Sequence, residues 1–195
     1  MSIESIQKQF TESIGAAQAS VDALAPAMCA AVDTLLAALV DNRKVLSCGN
    51  GGAAMLAQYF AAQLVNRYER DRPGLAALAL SADSVVVSAV SNDYDYSQVF
   101  AKQVRALGQA GDILLAISPS GDCANVLEAV HAAHEREMIV LALSGCGGGR
   151  LLEAVSEMDV HIIVPHQRTA RILEVHLLTI HCLCDGIDTM LLGEN

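Results

Sequence analysis

Two apolar segments, "DILLAIS" at 112–118 and "MIVLALS" at 138–144, restrict the fold more than any other feature of the sequence. Neither segment alternates apolar with polar residues, so each is expected to be buried on both faces, as in a parallel sheet that helices cover on either side. Segments with apolar residues at helical spacing lie between such runs along the chain. This alternation predicts an α/β fold, a doubly wound three-layer sandwich with a five-stranded parallel sheet.

The same pattern sets the expected bounds of the elements. The predicted strands cover residues 44–48, 76–80, 112–117, 138–143 and 159–163. The predicted helices cover residues 53–68, 84–91, 97–107, 122–135, 149–156 and 168–191. An N-terminal helix pair is expected before the first strand, with Pro26 at the start of its second helix because the fixed φ of proline suits a first turn.

Length and composition bear on domain organisation and assembly. A chain of 195 residues without an evident repeat or linker is predicted to form one domain, residues 1–195. The sequence is 53% hydrophobic and only 17% charged, which favours self-association because exposed apolar area must be covered. The helices within residues 1–40 are therefore expected to contribute to oligomerisation.

Charge and cysteine usage bear on partners and location. The net charge of -10 argues against direct binding of nucleic acid, whose phosphates attract Lys and Arg, although an indirect role through a protein partner stays open. The N-terminal segment "MSIESIQKQF" lacks the apolar core of a secretory signal, and no uninterrupted apolar stretch reaches the ~20 residues that a bilayer requires. The six cysteines include no C-x-x-C pair. We expect a soluble cytoplasmic protein with reduced thiols and no membrane partner.

Two loops have the chemistry to bind an anion, and each follows a predicted strand. "CGNGG" at 48–52 allows close approach of a ligand to the backbone, and "SPSGD" at 118–122 places hydroxyls at a helix start. Ligands of such sheets bind beyond the carboxyl ends of the strands. The alternative is that Ser120 or Asp122 merely caps the helix. The predicted ligand-binding residues are Asn50, Gly51, Gly52, Asp93, Ser118, Ser120, Gly121 and Asp122.

The sequence resembles the sugar isomerase (SIS) domain family, in the branch that contains phosphoheptose isomerase. The resemblance rests on "CGNGG", "NRYERDRPGLAALAL", "SNDY", "VFAKQVRALGQAGDILLAIS", "SGDCANV" and "RILEVHLLTIHCLCDGID", and it covers nearly the whole chain. It implies a homotetramer that binds a phosphorylated sugar between subunits. In this branch, the isomerases convert sedoheptulose 7-phosphate to D-glycero-D-manno-heptose 7-phosphate with a zinc ion.

At the positions that resemble the isomerase centre, this chain departs from the family pattern. The pattern H-F-A-x-E supplies a zinc-ligand histidine and a catalytic glutamate, and here these positions hold Tyr59 and Gln63. The pattern R-I-Q-E-x-H supplies a glutamine, which is Leu173 here, whereas the later histidine is retained as His181. An amide neither accepts a proton at neutral pH nor carries the charge that a metal favours. No catalytic residue and no metal are therefore predicted.

The family's phosphate-binding loop, S-T-S-G-N-S, is also altered. Its threonine, asparagine and last serine are Pro119, Asp122 and Cys123, and the serine of the glycine loop is Ala53. Asp122 adds a negative charge where a dianion would bind, and at about 4 Å the repulsion amounts to several kcal/mol near a protein surface. Any sugar phosphate is expected to bind weakly.

The sequence thus predicts a SIS protein without the isomerase centre. Its overall resemblance is to the DnaA initiator-associating proteins, so we expect a tetrameric regulator of replication initiation that binds the initiator protein DnaA. The alternative is an active phosphoheptose isomerase with zinc, in which Asp93, Glu174, His176 or His181 rebuilds the site. A third possibility is a phosphosugar sensor without catalysis.

Overall fold

The computed structural model describes residues 2–193. Five strands form one parallel sheet in the order β2-β1-β3-β4-β5, which confirms the predicted fold class. The strands are β1 (Val45–Gly49), β2 (Ala77–Ala79), β3 (Ile113–Ser118), β4 (Ile139–Ser144) and β5 (Val160–Ile163). The α-helices are α1 (Ile3–Val40), α2 (Gly52–Val65), α3 (Ser84–Asp93), α4 (Ala101–Leu107), α5 (Ala124–Glu135), α6 (Leu151–Ala154) and α7 (Thr169–Leu192).

Two hydrophobic clusters cover the two faces of the sheet, as the apolar strands predict. Strand β3 shows the principle, because successive side chains of a strand point to opposite faces. Ile113, Leu115 and Ile117 belong to the cluster that contains residues of α1, α2 and α7. Leu114 and Ala116 belong to the cluster that contains residues of α4 and α5. Helices on both faces leave the carboxyl edge of the sheet as the place where loops meet.

The predicted pair of N-terminal helices is wrong. Residues Ile3–Val40 form one continuous helix of 38 residues with Pro26 inside it. A proline inside a helix removes one backbone hydrogen bond, which normally favours a break. Here, however, buried residues lie on both sides of Pro26, including Leu24 and Leu35. Packing against the rest of the molecule thus outweighs the local cost of the proline.

Helices α1 and α7 pack along each other. Gly186 of α7 allows this approach, since a Cβ atom there would lie 2.7 Å from Cγ2 of Val32. Near the start of α7, Arg168 pairs with Glu12, and Arg171 Nη1 donates to the carbonyl oxygen of Gln9 at 2.6 Å. Both helices have the length and apolar composition that could cross a bilayer, but core helices of soluble proteins share these properties. Residues of both helices belong to the hydrophobic cluster on one face of the sheet.

Candidate functional site

Three loops lie side by side at the carboxyl edge of the sheet. Gly49 of β1 is in register with Ile117 of β3, and Ser118 of β3 is in register with Ser144 of β4. We call residues 49–52 the glycine loop, residues 118–122 the serine loop and residues 145–150 the arginine loop. The structure thus brings together the two loops predicted from the sequence and adds a third.

The glycine loop is tied to the start of α5 by a reciprocal pair of amides. Asn50 Nδ2 donates to Asn125 Oδ1 at 2.8 Å, and Asn125 Nδ2 donates to Asn50 Oδ1 at 2.8 Å. The hydroxyl of Tyr96 also donates to Asn50 Oδ1, at 3.2 Å. Gly51 has a φ of +53°, which favours glycine. Sequence reasoning did not identify Asn125 and Tyr96, since nothing local in the sequence couples either of them to Asn50.

The serine loop contains a buried hydroxyl that lacks a partner. The side chain of Ser118 is fully buried, and its Oγ makes no hydrogen bond within the described residues. Buried polar groups are generally hydrogen-bonded, so an orphaned hydroxyl at this edge is consistent with a missing ligand oxygen. Ser120 is exposed next to it, and its Oγ accepts a hydrogen bond from the Asp122 amide at 3.2 Å.

The alternative in which Ser120 or Asp122 caps the following helix is wrong. Helix α5 begins at Ala124, and the residue in its N-cap position is Cys123, whose side chain makes no capping hydrogen bond. The first N–H groups of a helix have no partners within the helix. They form a partially positive end that can bind an anion beside the serine hydroxyls.

Asp122 has a positively charged neighbour that the sequence analysis did not anticipate. Its Oδ1 accepts a hydrogen bond from the Arg150 amide at 3.0 Å and lies 3.7 Å from Arg150 Nε. Its main-chain oxygen accepts a further bond from Arg150 Nη2 at 2.8 Å. The expected repulsion of a dianion by Asp122 is therefore offset in part.

Asp93, another predicted ligand-binding residue, lies at the end of α3. Its exposed carboxylate accepts a hydrogen bond from Asn92 at 2.9 Å.

A second group of side chains lies between α2 and α7, at the positions that resemble the isomerase centre. The hydroxyl of Tyr59 and Nε2 of His181 are 3.2 Å apart, and their rings meet edge to face with centroids separated by 5.7 Å. The ring of Tyr68 also contacts the His181 ring, with a centroid separation of 5.9 Å. Leu173 packs against the glycine loop, because a Cβ atom on Gly52 would lie 2.9 Å from Leu173 Cδ1.

These side chains do not fit a zinc ion. Zinc sites in proteins usually combine three or four Cys, His or carboxylate ligands. Among residues 2–193, no group of three or more His, Cys, Asp or Glu residues is arranged to hold a metal ion. The four matching positions offer one imidazole, a phenol, an amide and a leucine, and the imidazole nitrogen is already within hydrogen-bond distance of the phenol.

The other acid or base candidates are engaged elsewhere. His176 is fully buried, its Nε2 lies 3.0 Å from the carbonyl oxygen of Ser144, and burial lowers its pKa to about 4. Glu174 pairs with Arg171 at 2.8 Å and accepts a hydrogen bond from Ser13 at 2.6 Å. Of these candidates, His181 remains half-exposed, in contact with Tyr59.

Comparison with known proteins relates this arrangement to a family. Residues 9–145 match the SIS domain. The chain is 57% identical over 191 residues to a phosphoheptose isomerase of Azoarcus sp. strain BH72, covering 98% of this chain and 97% of the relative. It is 50% identical over 185 residues to a phosphoheptose isomerase of Bordetella avium, covering 95% and 94%.

Solved structures agree with this result. The phosphoheptose isomerase from Neisseria gonorrhoeae superimposes with a TM-score of 0.91 at 47% identity, covering 95% of this chain and 98% of the other. The phosphoheptose isomerase from Francisella tularensis superimposes with a TM-score of 0.94 at 44% identity, covering 97% and 99%.

These comparisons overturn the functional prediction made from the altered residues. The expected non-catalytic regulator that binds DnaA is wrong, because relatives that match nearly the full chain at 50–57% identity are named phosphoheptose isomerase. The comparisons support the alternative given with that prediction. Substitutions at three positions, Tyr59, Gln63 and Leu173, misled the sequence argument, although the chain as a whole is 50–57% identical to these relatives. Since its five-stranded parallel sheet and its residues 9–145 agree with the family, this chain belongs to the SIS domain family.

Proposed function

We propose that this protein is a phosphoheptose isomerase, which interconverts the ketose and aldose forms of a heptose 7-phosphate. The observation that carries the proposal is the buried hydroxyl of Ser118, which has no hydrogen-bond partner among residues 2–193 and lies beside the start of α5, an arrangement that fits the oxygens of a phosphate group. The relatives named phosphoheptose isomerase support the choice of a seven-carbon sugar.

Isomerisation requires a group that moves a proton between adjacent carbons and a donor that stabilises the enediolate. Of the four side chains between α2 and α7, only His181 and Tyr59 offer a group suited to these roles, an imidazole and a phenol hydroxyl, whereas Gln63 has an amide and Leu173 is apolar. We assign proton transfer to the His181 imidazole and stabilisation of the enediolate oxygen to the Tyr59 hydroxyl, 3.2 Å away from it. No step is assigned to zinc, which the donor set does not fit.

The test is turnover of sedoheptulose 7-phosphate by the purified full chain, with and without a chelator. We expect turnover that changes less than twofold on chelation, and a loss of at least about a hundredfold in kcat for His181→Asn, since general acid–base catalysis contributes on that order. His131→Asn, on an exposed face of α5, is the matched control and should leave kcat unchanged. Absence of turnover in the unsubstituted protein, with or without added zinc, would refute the isomerase.

We also propose that the protein is a homotetramer and that residues 1–40 contribute to its interfaces. Large apolar side chains are exposed along the first half of α1, including Phe10 at 68% and Ile14 at 68%. Such surface is normally covered in an assembly. Gel filtration with light scattering should give about four times the chain mass of 20.5 kDa. Phe10→Asp combined with Ile14→Asp should reduce that mass, whereas Lys8→Asp, at an exposed position on the opposite side of the same helix from Phe10, should not.

A cytoplasmic location completes the proposal. The cysteines of the structure are free thiols, as expected in a reducing compartment. Fractionation of cells should recover the protein with the soluble cytoplasmic enzymes, and recovery with the membrane pellet would contradict this assignment.

A further inference from the structure

The arginine loop holds the serine loop by main-chain hydrogen bonds. The Gly145 amide donates to the carbonyl oxygen of Pro119 at 2.9 Å, and the Leu151 amide, just after the loop, donates to that of Gly121 at 2.9 Å. The contact leaves no room for side chains, because a Cβ atom on Gly121 would lie 1.9 Å from the carbonyl oxygen of Gly148. The position of the serine loop therefore depends on the arginine loop.

Asp122 is the one charged side chain of the serine loop, and its charge opposes an anionic ligand. The guanidinium of Arg150 compensates this charge at 3.7 Å and also binds the Asp122 main-chain oxygen at 2.8 Å. The two side chains are 62% and 56% exposed. Ion pairs this exposed contribute little to stability, so stability alone is a weak reason for the arrangement.

We propose that Arg150 is a positioning residue for the phosphate group of the substrate. By pairing with Asp122, Arg150 offsets the negative charge beside the serine hydroxyls and fixes the turn that presents them, so that a dianion can bind there. Arg150 acts through Asp122 and makes no contact of its own with the ligand. Arg150 lies outside residues 9–145, the part of the chain that matches the SIS domain. The inference rests on the proposed function only in taking a sugar phosphate as the ligand.

A double-mutant cycle tests this coupling. Dissociation constants for sedoheptulose 7-phosphate and for inorganic phosphate are measured by calorimetry on the full chain, as the unsubstituted protein, Arg150→Gln, Asp122→Asn and the double variant. We expect Arg150→Gln to weaken binding about tenfold, a value reduced from the Coulomb estimate because both groups are partly exposed. In the Asp122→Asn background, the same substitution should change binding less than about twofold, since no charge remains to be offset.

Three further measurements separate positioning from a general structural effect. Arg150→Lys, which keeps the charge, should recover most of the lost affinity for the sugar phosphate. Arg136→Gln, at the opposite end of α5, should leave the affinity unchanged. The thermal midpoints of all variants without ligand should agree, as the exposure of the pair implies.

Some results would overturn the inference. An equal loss in both backgrounds would show that Arg150 touches the phosphate directly or acts independently of Asp122. Unchanged binding by Arg150→Gln, or failure of the unsubstituted protein to bind either ligand, would also refute it. Because inorganic phosphate cannot be turned over, a protein that binds it as expected but does not isomerise the sugar phosphate would refute the proposed function and leave this inference standing.

Discussion

The candidate phosphate cradle and the space between α2 and α7 differ in whether their polar side chains are hydrogen-bonded. In the cradle, which comprises the glycine, serine and arginine loops, the Ser118 hydroxyl is buried and makes no hydrogen bond with any residue that the structure describes. Between the two helices, the Tyr59 hydroxyl and the His181 imidazole bind each other, and Leu173 packs on the glycine loop. The shape of the cradle depends mainly on main-chain contacts between loops, whereas the chemistry available between α2 and α7 depends on a few side chains. One protein can therefore keep binding geometry while its reactive groups change.

Restoring the family's metal donors should give the largest effect. We expect the triple variant Tyr59→His, Gln63→Glu and Leu173→Gln to bind zinc at least about a thousandfold more tightly, since it adds donors to His181 and approaches a four-ligand site. Elemental analysis and competition with a chromogenic chelator measure the change. The matched control Gln58→Glu, one helix position away and exposed, should not gain zinc. A triple variant that folds but stays metal-free would show that the surrounding backbone has diverged as well.

The cradle should be the part that tolerates substitution least. Gly121→Ala is expected to lower the free energy of unfolding by at least about 3 kcal/mol, because positive φ and a buried clash both add strain. Gly121 has a φ of +75°, and its added Cβ would meet the Gly148 carbonyl oxygen. Urea denaturation measures the loss, and Gly15→Ala, which has open space around it, serves as the control. A loss no larger than that of the control would contradict the tight contact between the loops.

Lowering the pH should lower the free energy of unfolding through His176, a buried residue of α7 that contacts the end of β4. Burial lowers the pKa of His176 from 6.5 to about 4, so the unfolded chain binds this proton at a higher pH than the folded protein does. The free energy of unfolding therefore falls as the pH drops from 6.5 to 4, by about 3 kcal/mol in total from this group. Burial also lowers the pKa of His161, which adds to the loss in the same direction.

Denaturation at a series of pH values measures this slope. His176→Gln should flatten it, because glutamine does not titrate in this range. An unchanged slope in that variant would assign the acid sensitivity to other groups. Comparing the slope with ligand present would further show whether the cradle shares the stability of α7.

The smallest effect on stability is expected from Tyr59→Phe. Removing the hydroxyl deletes one half-buried hydrogen bond to His181, which contributes about 1 kcal/mol to folding. Thermal denaturation measures the change, and Tyr94→Phe, an exposed tyrosine, is the control. Sugar phosphate affinity should stay within about twofold, since the cradle is separate. A large loss of affinity would contradict that separation.

Local patterns were sufficient to predict the sheet and the placement of the glycine and serine loops at its carboxyl edge, but not the contacts between these loops and distant residues. Strand β3 was predicted at 112–117 and lies at Ile113–Ser118, because a strand buried on both faces is recognisable from its own residues. Pro26 misled the prediction, since the burial of α1 depends on distant partners. The amide pair of Asn50 and Asn125 joins residues 75 apart, and the bonds of Asp122 with Arg150 join residues 28 apart.

The reciprocal amide pair of Asn50 and Asn125 has a consequence for affinity. It joins the glycine loop to the first turn of α5, and α5 follows the serine loop. The glycine and serine loops are therefore held at a fixed spacing before a ligand binds. Because folding has already ordered these loops, ligand binding does not bear that entropy cost, and more of the interaction energy contributes to affinity. A weakly charged cradle with few hydroxyls can in this way still hold a small, flexible molecule.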